Sequence, residues 1–126
     1  MTQGLVADTL VGGVETEPIA WTRNSQWLSM PTIRDGEQKY VMLMAVWNWT
    51  SNFFRVDPAG CAYTVDWGDG SAPENFANGV SAQHTFSWAG CSSGTLTTDG
   101  YRQCIVTVTP QDSKATFSSM TLSNRH

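Results

Sequence analysis

The sequence predicts an all-β fold, a β-sandwich of about seven short strands. Apolar residues alternate with polar ones along most of the chain, and this period of two is typical of strands. No segment sustains the apolar spacing of an amphipathic helix between capping residues. The 126 residues, 40% hydrophobic and 14% charged, suit one folded domain with a buried core.

Large apolar residues become frequent from Trp21 onward. We therefore expect residues 21–126 to form a single sandwich domain. Residues 1–20 contain glycine, threonine and glutamate with little periodicity, and they are predicted to be an extended N-terminal arm. Such an arm either frays or lies along a neighbouring molecule.

The first half of the domain contains three predicted strands and one weaker candidate. Leu28–Ile33 could form a short strand, and Pro31 favours an edge position for it. After an Asp-Gly turn, Lys39–Trp47 is apolar on both faces, which is typical of a central strand covered on each side. Phe53–Val56 follows, and DPAG at residues 57–60 predicts the next turn.

The strand at residues 61–67 then places Cys61, Tyr63, Val65 and Trp67 on one face. The second half predicts four strands, separated by short turns and by one loop rich in glycine, serine and threonine at residues 89–100. These strands cover residues 74–77, 81–86, 102–109 and 115–122.

The stretch YTVDWGDGS, residues 63–71, combines a strand with two acids and two glycines. Glycines on either side of Asp69 allow positive φ angles, so Gly68-Asp69-Gly70 can reverse the chain. Asp66 and Asp69 can hold this turn by accepting hydrogen bonds from nearby backbone N–H groups. Trp67 lies on the apolar face and is predicted to anchor the core.

Two chemical alternatives exist for these acids. A calcium site at Asp66, Asp69 and Glu74 would lack the alternating ligands of a calcium-binding loop. A catalytic Asp66/Asp69 pair would need a buried carboxyl with a raised pKa, whereas both acids are expected to be solvated on a hairpin. A Ser-His-Asp triad that includes His84 is not expected, because the sequence contains no GxSxG-type nucleophile elbow. His84 is predicted to be a structural strand residue. We therefore predict no catalytic, metal-binding or cofactor-binding residue.

Charge and hydropathy exclude several classes of partner. The net charge of −4 and the absence of a basic cluster argue against nucleic-acid binding. Val41–Trp47, the longest apolar run, is too short to span a bilayer. The first residues lack the pattern of a secretory signal, so we expect synthesis without export.

The three cysteines are not spaced as a zinc site. Cys91 and Cys104 flank the long loop and could form a bridge if the fold brings them close. Reduced thiols are the favoured expectation for a chain that is not exported.

The six tryptophans are the main candidates for binding. Trp47 and Trp67 are most simply core residues. Trp49 lies in a polar loop and Trp88 opens the long one, so both are candidate interface or ligand residues. Exposed tryptophans stack on sugar rings or anchor protein contacts.

VDWGDGS resembles the WxFGDGS-type signature of the PKD (polycystic kidney disease) domain, which is an immunoglobulin-like β-sandwich. His84-Thr85-Phe86 is similar to the His-Thr-Tyr element of that family, and Gly100-Tyr101 precedes a valine-rich last strand. The resemblance covers about Tyr63–Pro110 and implies the PKD-like fold. The loop between His84 and Tyr101 is longer than in the family pattern, and Tyr101 lies two residues further from the valines.

A broader resemblance covers nearly the whole chain. The succession WTRNSQWLSMPTI, GEQKYVMLMAVW, YTVDWGDGS, ENFANGVSAQHTF and GYRQCIVTVTPQ is similar to a group of bacteriophage virion proteins associated with tails, fibres or particle surfaces. It implies a non-enzymatic virion structural protein that decorates the capsid or forms the attachment part of a tail or head fibre. Its implied partners are other virion proteins in a multicopy assembly.

This resemblance implies a location on the particle surface after synthesis in the host cytoplasm. Two alternatives stay open. The first is an adhesive module that binds a host-surface glycan through Trp49 and Trp88. The second is an accessory domain of a longer enzyme-containing chain.

Overall fold

The computed structural model describes residues 20–125 and contains seven β-strands and two short 3₁₀ helices there. The helices cover Trp88–Gly90 and Ser93–Thr95. The predicted all-β class is confirmed, while the arm predicted over residues 1–20 lies outside the described residues except for Ala20. The strands are β1 (Tyr40–Val46), β2 (Asn52–Ala59), β3 (Tyr63–Asp66), β4 (Glu74–Phe76), β5 (Ala82–Phe86), β6 (Arg102–Pro110) and β7 (Ser119–Arg125).

The strands form two antiparallel sheets that pack as a sandwich. One sheet has four strands in the order β1-β6-β3-β4, and the other has three in the order β5-β2-β7. Every second residue of β2 is buried, as expected for a strand with one face towards a core. The buried apolar residues that form the core are Met44, Val46, Phe54, Val56, Tyr63, Val65, Trp67, Ala82, Phe86, Cys91, Cys104, Val106 and Val108.

The first segment of the domain differs from its prediction. Leu28–Ile33 forms no strand, and β1 lies at the edge of its sheet rather than at the centre. β1 is nevertheless apolar on both faces because its outer face is covered by the chain before it. Trp27 and Met30 line a shallow cavity together with Leu43 and Ala45 of β1. The apolar pattern therefore correctly predicted that both faces of β1 are covered. The outer face, however, is covered by a loop and not by another layer of regular structure.

Two strands of the second sheet, β2 and β7, also differ in their bounds from the predictions. β2 continues through Pro58 to Ala59, so the turn predicted at residues 57–60 is wrong. The reversal follows at Gly60, whose φ is 114°. β2 extends to Ala59 because this residue pairs with Ser119, the first residue of β7. β7 therefore begins four residues later than the predicted start at Ala115.

Candidate functional site

The YTVDWGDGS stretch contains all of β3 and the turn that leads to β4. Gly68 and Gly70 have φ angles of 75° and 86°, in the left-handed region that favours glycine. The Gly68 N–H donates to Asp66 Oδ1 at 3.0 Å, and the Ser71 N–H donates to Asp69 Oδ1 at 3.1 Å. Both acids therefore replace solvent as acceptors for backbone N–H groups that the turn leaves unpaired.

Asp69 is not the solvated side chain that was expected. Its side chain is only 10% exposed, and its Oδ2 lies 2.6 Å from His84 Nε2. Burial pushes the pKa of Asp69 up, but hydrogen bonds from Ser71 and His84 outweigh it, so the pKa is lowered. The His84 ring stacks on Trp67 with centroids 4.8 Å apart. Asp69, His84 and Trp67 thus form one unit that joins the turn to β5 and the core.

The Asp69 carboxyl is not suited to act as a general acid near neutral pH. A general acid at neutral pH needs a raised pKa, whereas the pKa of Asp69 is lowered. The Glu74 carboxylate accepts a hydrogen bond from the Trp67 indole N–H at 3.0 Å. Among residues 20–125, no group of three or more histidine, cysteine or acidic side chains is placed to hold a metal ion.

Replacing Asp69 with asparagine should lower the free energy of unfolding at pH 7 by about 1–3 kcal/mol, because a buried charge-assisted contact is lost. A carboxylate with a lowered pKa stabilises the fold above the ordinary aspartate pKa of about 3.9. That contribution disappears as the pH falls through the folded-state pKa. Urea unfolding of both proteins should therefore show a difference at pH 7 that shrinks below about pH 4.

Asp66→Asn is the matched control, since Asp66 is exposed and accepts a backbone N–H in the same turn. Its effect at pH 7 should be smaller than that of Asp69→Asn. A difference for Asp69→Asn that stays constant from pH 7 to pH 3 would contradict the role assigned to its carboxylate.

A second feature is a chain of contacting aromatic side chains on the surface. The Trp27 indole N–H donates to the Tyr101 hydroxyl at 2.7 Å, and Trp21 lies 6.3 Å from Trp27 between ring centroids. The Tyr101 ring lies 5.1 Å from Trp47, which stacks on Trp49 at 5.1 Å with nearly parallel planes. We call these five residues the aromatic band. Trp21 is 76% exposed and Trp49 is 49% exposed, so both ends of the band face solvent.

Buried Gln103 of β6 holds the first part of the band in place. Its Oε1 accepts from the Leu28 N–H at 2.9 Å, and its Nε2 donates to the carbonyl oxygens of Gln26 at 2.8 Å and Thr95 at 2.9 Å. These bonds dock the chain around Trp27 onto the outer face of the sheet. Sequence reasoning missed Gln103, because it occupies an outward position of a strand where polar residues are ordinary.

Asn52 holds the other end. Its side chain is fully buried, and its Nδ2 donates to the carbonyl oxygens of Trp47 at 2.9 Å and Trp49 at 3.0 Å. Its Oδ1 accepts from the Trp47 N–H at 2.7 Å. Sequence reasoning missed Asn52 as well. Its position in the sequence could have indicated its role. Asn52 alternates with Phe54 and Val56 and so points to the core, where a polar side chain needs hydrogen-bond partners.

The two tryptophans singled out from the sequence lie at one cleft. Trp88 is half-buried, and the guanidinium carbon of Arg102 lies 4.2 Å from the centre of its ring. Arg102 also donates to the Trp88 carbonyl oxygen at 2.9 Å, which fixes the loop behind the ring. The cleft has a volume of about 470 Å³ and is lined by Asn48, Trp49, Thr50, Thr85, Phe86, Ser87 and Trp88.

Within residues 20–125, no helix is long and apolar enough to cross a membrane. Comparisons with protein-family models, with curated proteins and with solved structures found no match to this chain. The resemblances to the PKD domain and to bacteriophage virion proteins therefore rest on the quoted sequence motifs alone.

Proposed function

We propose that this chain is a non-enzymatic bacteriophage virion structural protein. It decorates the capsid surface or forms the attachment part of a tail or head fibre through protein–protein contacts. The observation that carries the proposal is the aromatic band, a contiguous aromatic surface with solvent-exposed ends. The sequence resemblance to virion proteins supplies the particle context.

The fold assigned with this proposal is a PKD-like, immunoglobulin-like sandwich. Pairing of β2 with β5 and of β3 with β6 corresponds to the B–E and C–F pairs of an immunoglobulin domain. The outer strands differ from that pattern. In an immunoglobulin domain the first strand belongs to the sheet with B and E, and the last strand belongs to the sheet with C and F. Here β1 pairs with β6 and β7 pairs with β2, so the first and last strands have exchanged sheets. The proposal of this fold therefore depends on the central pairs and on the GDGS turn.

The aromatic band suits a protein contact for physical reasons. Tryptophan and tyrosine are enriched at interfaces, because large rigid rings bury much area at little conformational cost. Burial of Gln103 and Asn52 at the two ends fixes the band before any partner binds. In a multicopy particle, modest contacts of this kind add up through multivalency.

An antibody against this chain, applied to purified particles and viewed by electron microscopy, tests the location. We expect label on heads or on tails, and particles without label would overturn the virion assignment. Incorporation of Trp21→Ser into particles tests the surface and should fall strongly relative to the wild type. Val80→Ser is the control, since Val80 is also an exposed apolar residue but lies outside the band.

The cleft between Trp49 and Trp88 favours a second candidate function, an adhesive module that binds a host-surface glycan. Two aromatic rings beside hydroxyl and amide side chains match the stacking and hydrogen-bonding needs of a sugar. A glycan array should then show binding that both Trp49→Ala and Trp88→Ala abolish and Trp21→Ala retains. Absence of any bound glycan would remove this candidate and leave the virion proposal intact.

A further inference from the structure

The structure places two buried cysteine side chains in direct contact. Cys91 follows the first 3₁₀ helix, Cys104 lies in β6, and their Sγ atoms are 2.9 Å apart. They are only 4% and 2% exposed. A disulfide requires about 2.05 Å between the sulfur atoms, so closing the bond needs a shift of less than roughly 1 Å.

We propose that Cys91 and Cys104 form an intramolecular disulfide when the chain meets a disulfide oxidant. This modification site is independent of the proposed function.

The backbone around Cys91 is already held in the position that the bond requires. The Cys91 N–H donates to the Trp88 carbonyl oxygen at 3.2 Å, closing the 3₁₀ turn. The Cys91 carbonyl oxygen accepts from Arg102 at 3.1 Å, and Arg102 also holds the Trp88 carbonyl. Since Arg102 begins β6, the same strand that carries Cys104, the loop is tied to its partner strand before any covalent bond forms.

The reaction is a two-electron oxidation. A thiolate of one cysteine attacks a sulfur atom of a small-molecule disulfide such as oxidised glutathione and releases one glutathione thiolate. The second cysteine then attacks the mixed disulfide, forms the Cys91–Cys104 bond and releases the second glutathione. The two protein thiols lose two protons and two electrons, and the oxidant becomes two thiols.

The order of events follows from burial. Burial raises the pKa of both the Cys91 and the Cys104 thiols, so little thiolate is present in the folded chain near neutral pH. We therefore expect slow oxidation of the folded protein and faster oxidation when the chain refolds with oxidised glutathione. Half-buried Cys61 lies outside this pair.

The bond would restrain the part of the chain next to the cleft and the aromatic band. It closes the loop between residues 91 and 104, which includes Tyr101 of the aromatic band. Trp88 of the cleft lies three residues before Cys91. Oxidation would therefore stiffen both the end of the loop that supports the cleft and the centre of the band.

The test refolds the chain with oxidised glutathione and measures its mass under denaturing, non-reducing conditions. We expect a mass about 2 Da below that of the reduced chain and a proteolytic fragment that joins the Cys91 and Cys104 peptides. Thermal unfolding should occur about 10 °C higher than in the presence of a reductant, because the closed loop restricts the unfolded chain.

Variants separate this pair from other thiols. Cys61→Ser should keep the mass loss and the thermal shift, whereas Cys91→Ala should lose both. Three alkylatable thiols in the refolded wild type, or a linked fragment that contains Cys61, would overturn the proposal. The mass and fragment data decide the matter even if Cys91→Ala fails to fold.

Discussion

Replacing Gly68 with alanine is expected to lower the free energy of unfolding by about 2–5 kcal/mol, the sum of two costs. The φ angle of 75° at Gly68 is unfavourable for a residue with a Cβ atom. In addition, a Cβ at this position would lie 2.0 Å from the backbone oxygen of Ile105 in β6. Since this oxygen belongs to a central strand, the turn or the sheet must shift. Urea unfolding followed by circular dichroism measures the loss.

Gly70→Ala separates the two costs. Gly70 lies in the same turn with a φ of 86°, but among the described residues no heavy atom beyond Gly70 and its two chain neighbours lies within 4 Å of a Cβ built there. The free energy of unfolding of Gly70→Ala should therefore fall by the backbone cost alone, about 1–2 kcal/mol. Equal losses for Gly68→Ala and Gly70→Ala would show that the close approach to Ile105 contributes nothing.

The comparison of these two glycines shows how far the sequence could predict the turn. The pattern of Gly68-Asp69-Gly70 after an alternating strand predicted a chain reversal, because positive φ angles and acceptor side chains are local properties. The contact of Gly68 with Ile105 could not be predicted, since it depends on β6 pairing beside β3. The hydrogen bond between Asp69 and His84 depends on the other sheet in the same way, because His84 lies in β5.

The tryptophan side chains on the surface show the same limit of prediction from the sequence. Trp49 and Trp88 were selected from the polarity of their own loops, and the structure places both at one cleft. Trp47 was assigned to the core, but it stacks on Trp49 in the aromatic band. Trp27 was also not predicted from the sequence to belong to the aromatic band. Its position depends on hydrogen bonds from a loop to a side chain more than 70 residues away, a contact without any local sequence signal.

Truncating Trp67 to alanine is the second substitution expected to have a large effect, a loss of about 3–5 kcal/mol in the free energy of unfolding. Trp67 is fully buried, stacks on His84 and meets Phe86 edge to face. Removing the indole leaves a cavity and removes the surface that orients His84 towards Asp69. Chemical unfolding at pH 7 gives the size of the loss.

Two further variants assign this loss to its causes. Trp49→Ala removes the same side chain from a half-exposed position, so it should cost no more than about 1 kcal/mol if burial is the source of the effect. Trp67→Phe keeps an aromatic ring in the core but removes the hydrogen bond to Glu74, and it should fall between the two. A loss for Trp67→Ala no larger than that for Trp49→Ala would contradict the central place of Trp67 in the sandwich. A Trp67→Phe loss below half of the Trp67→Ala loss would show that ring packing contributes more than the indole N–H. This is the expected result, because Glu74 is exposed and can bind water instead.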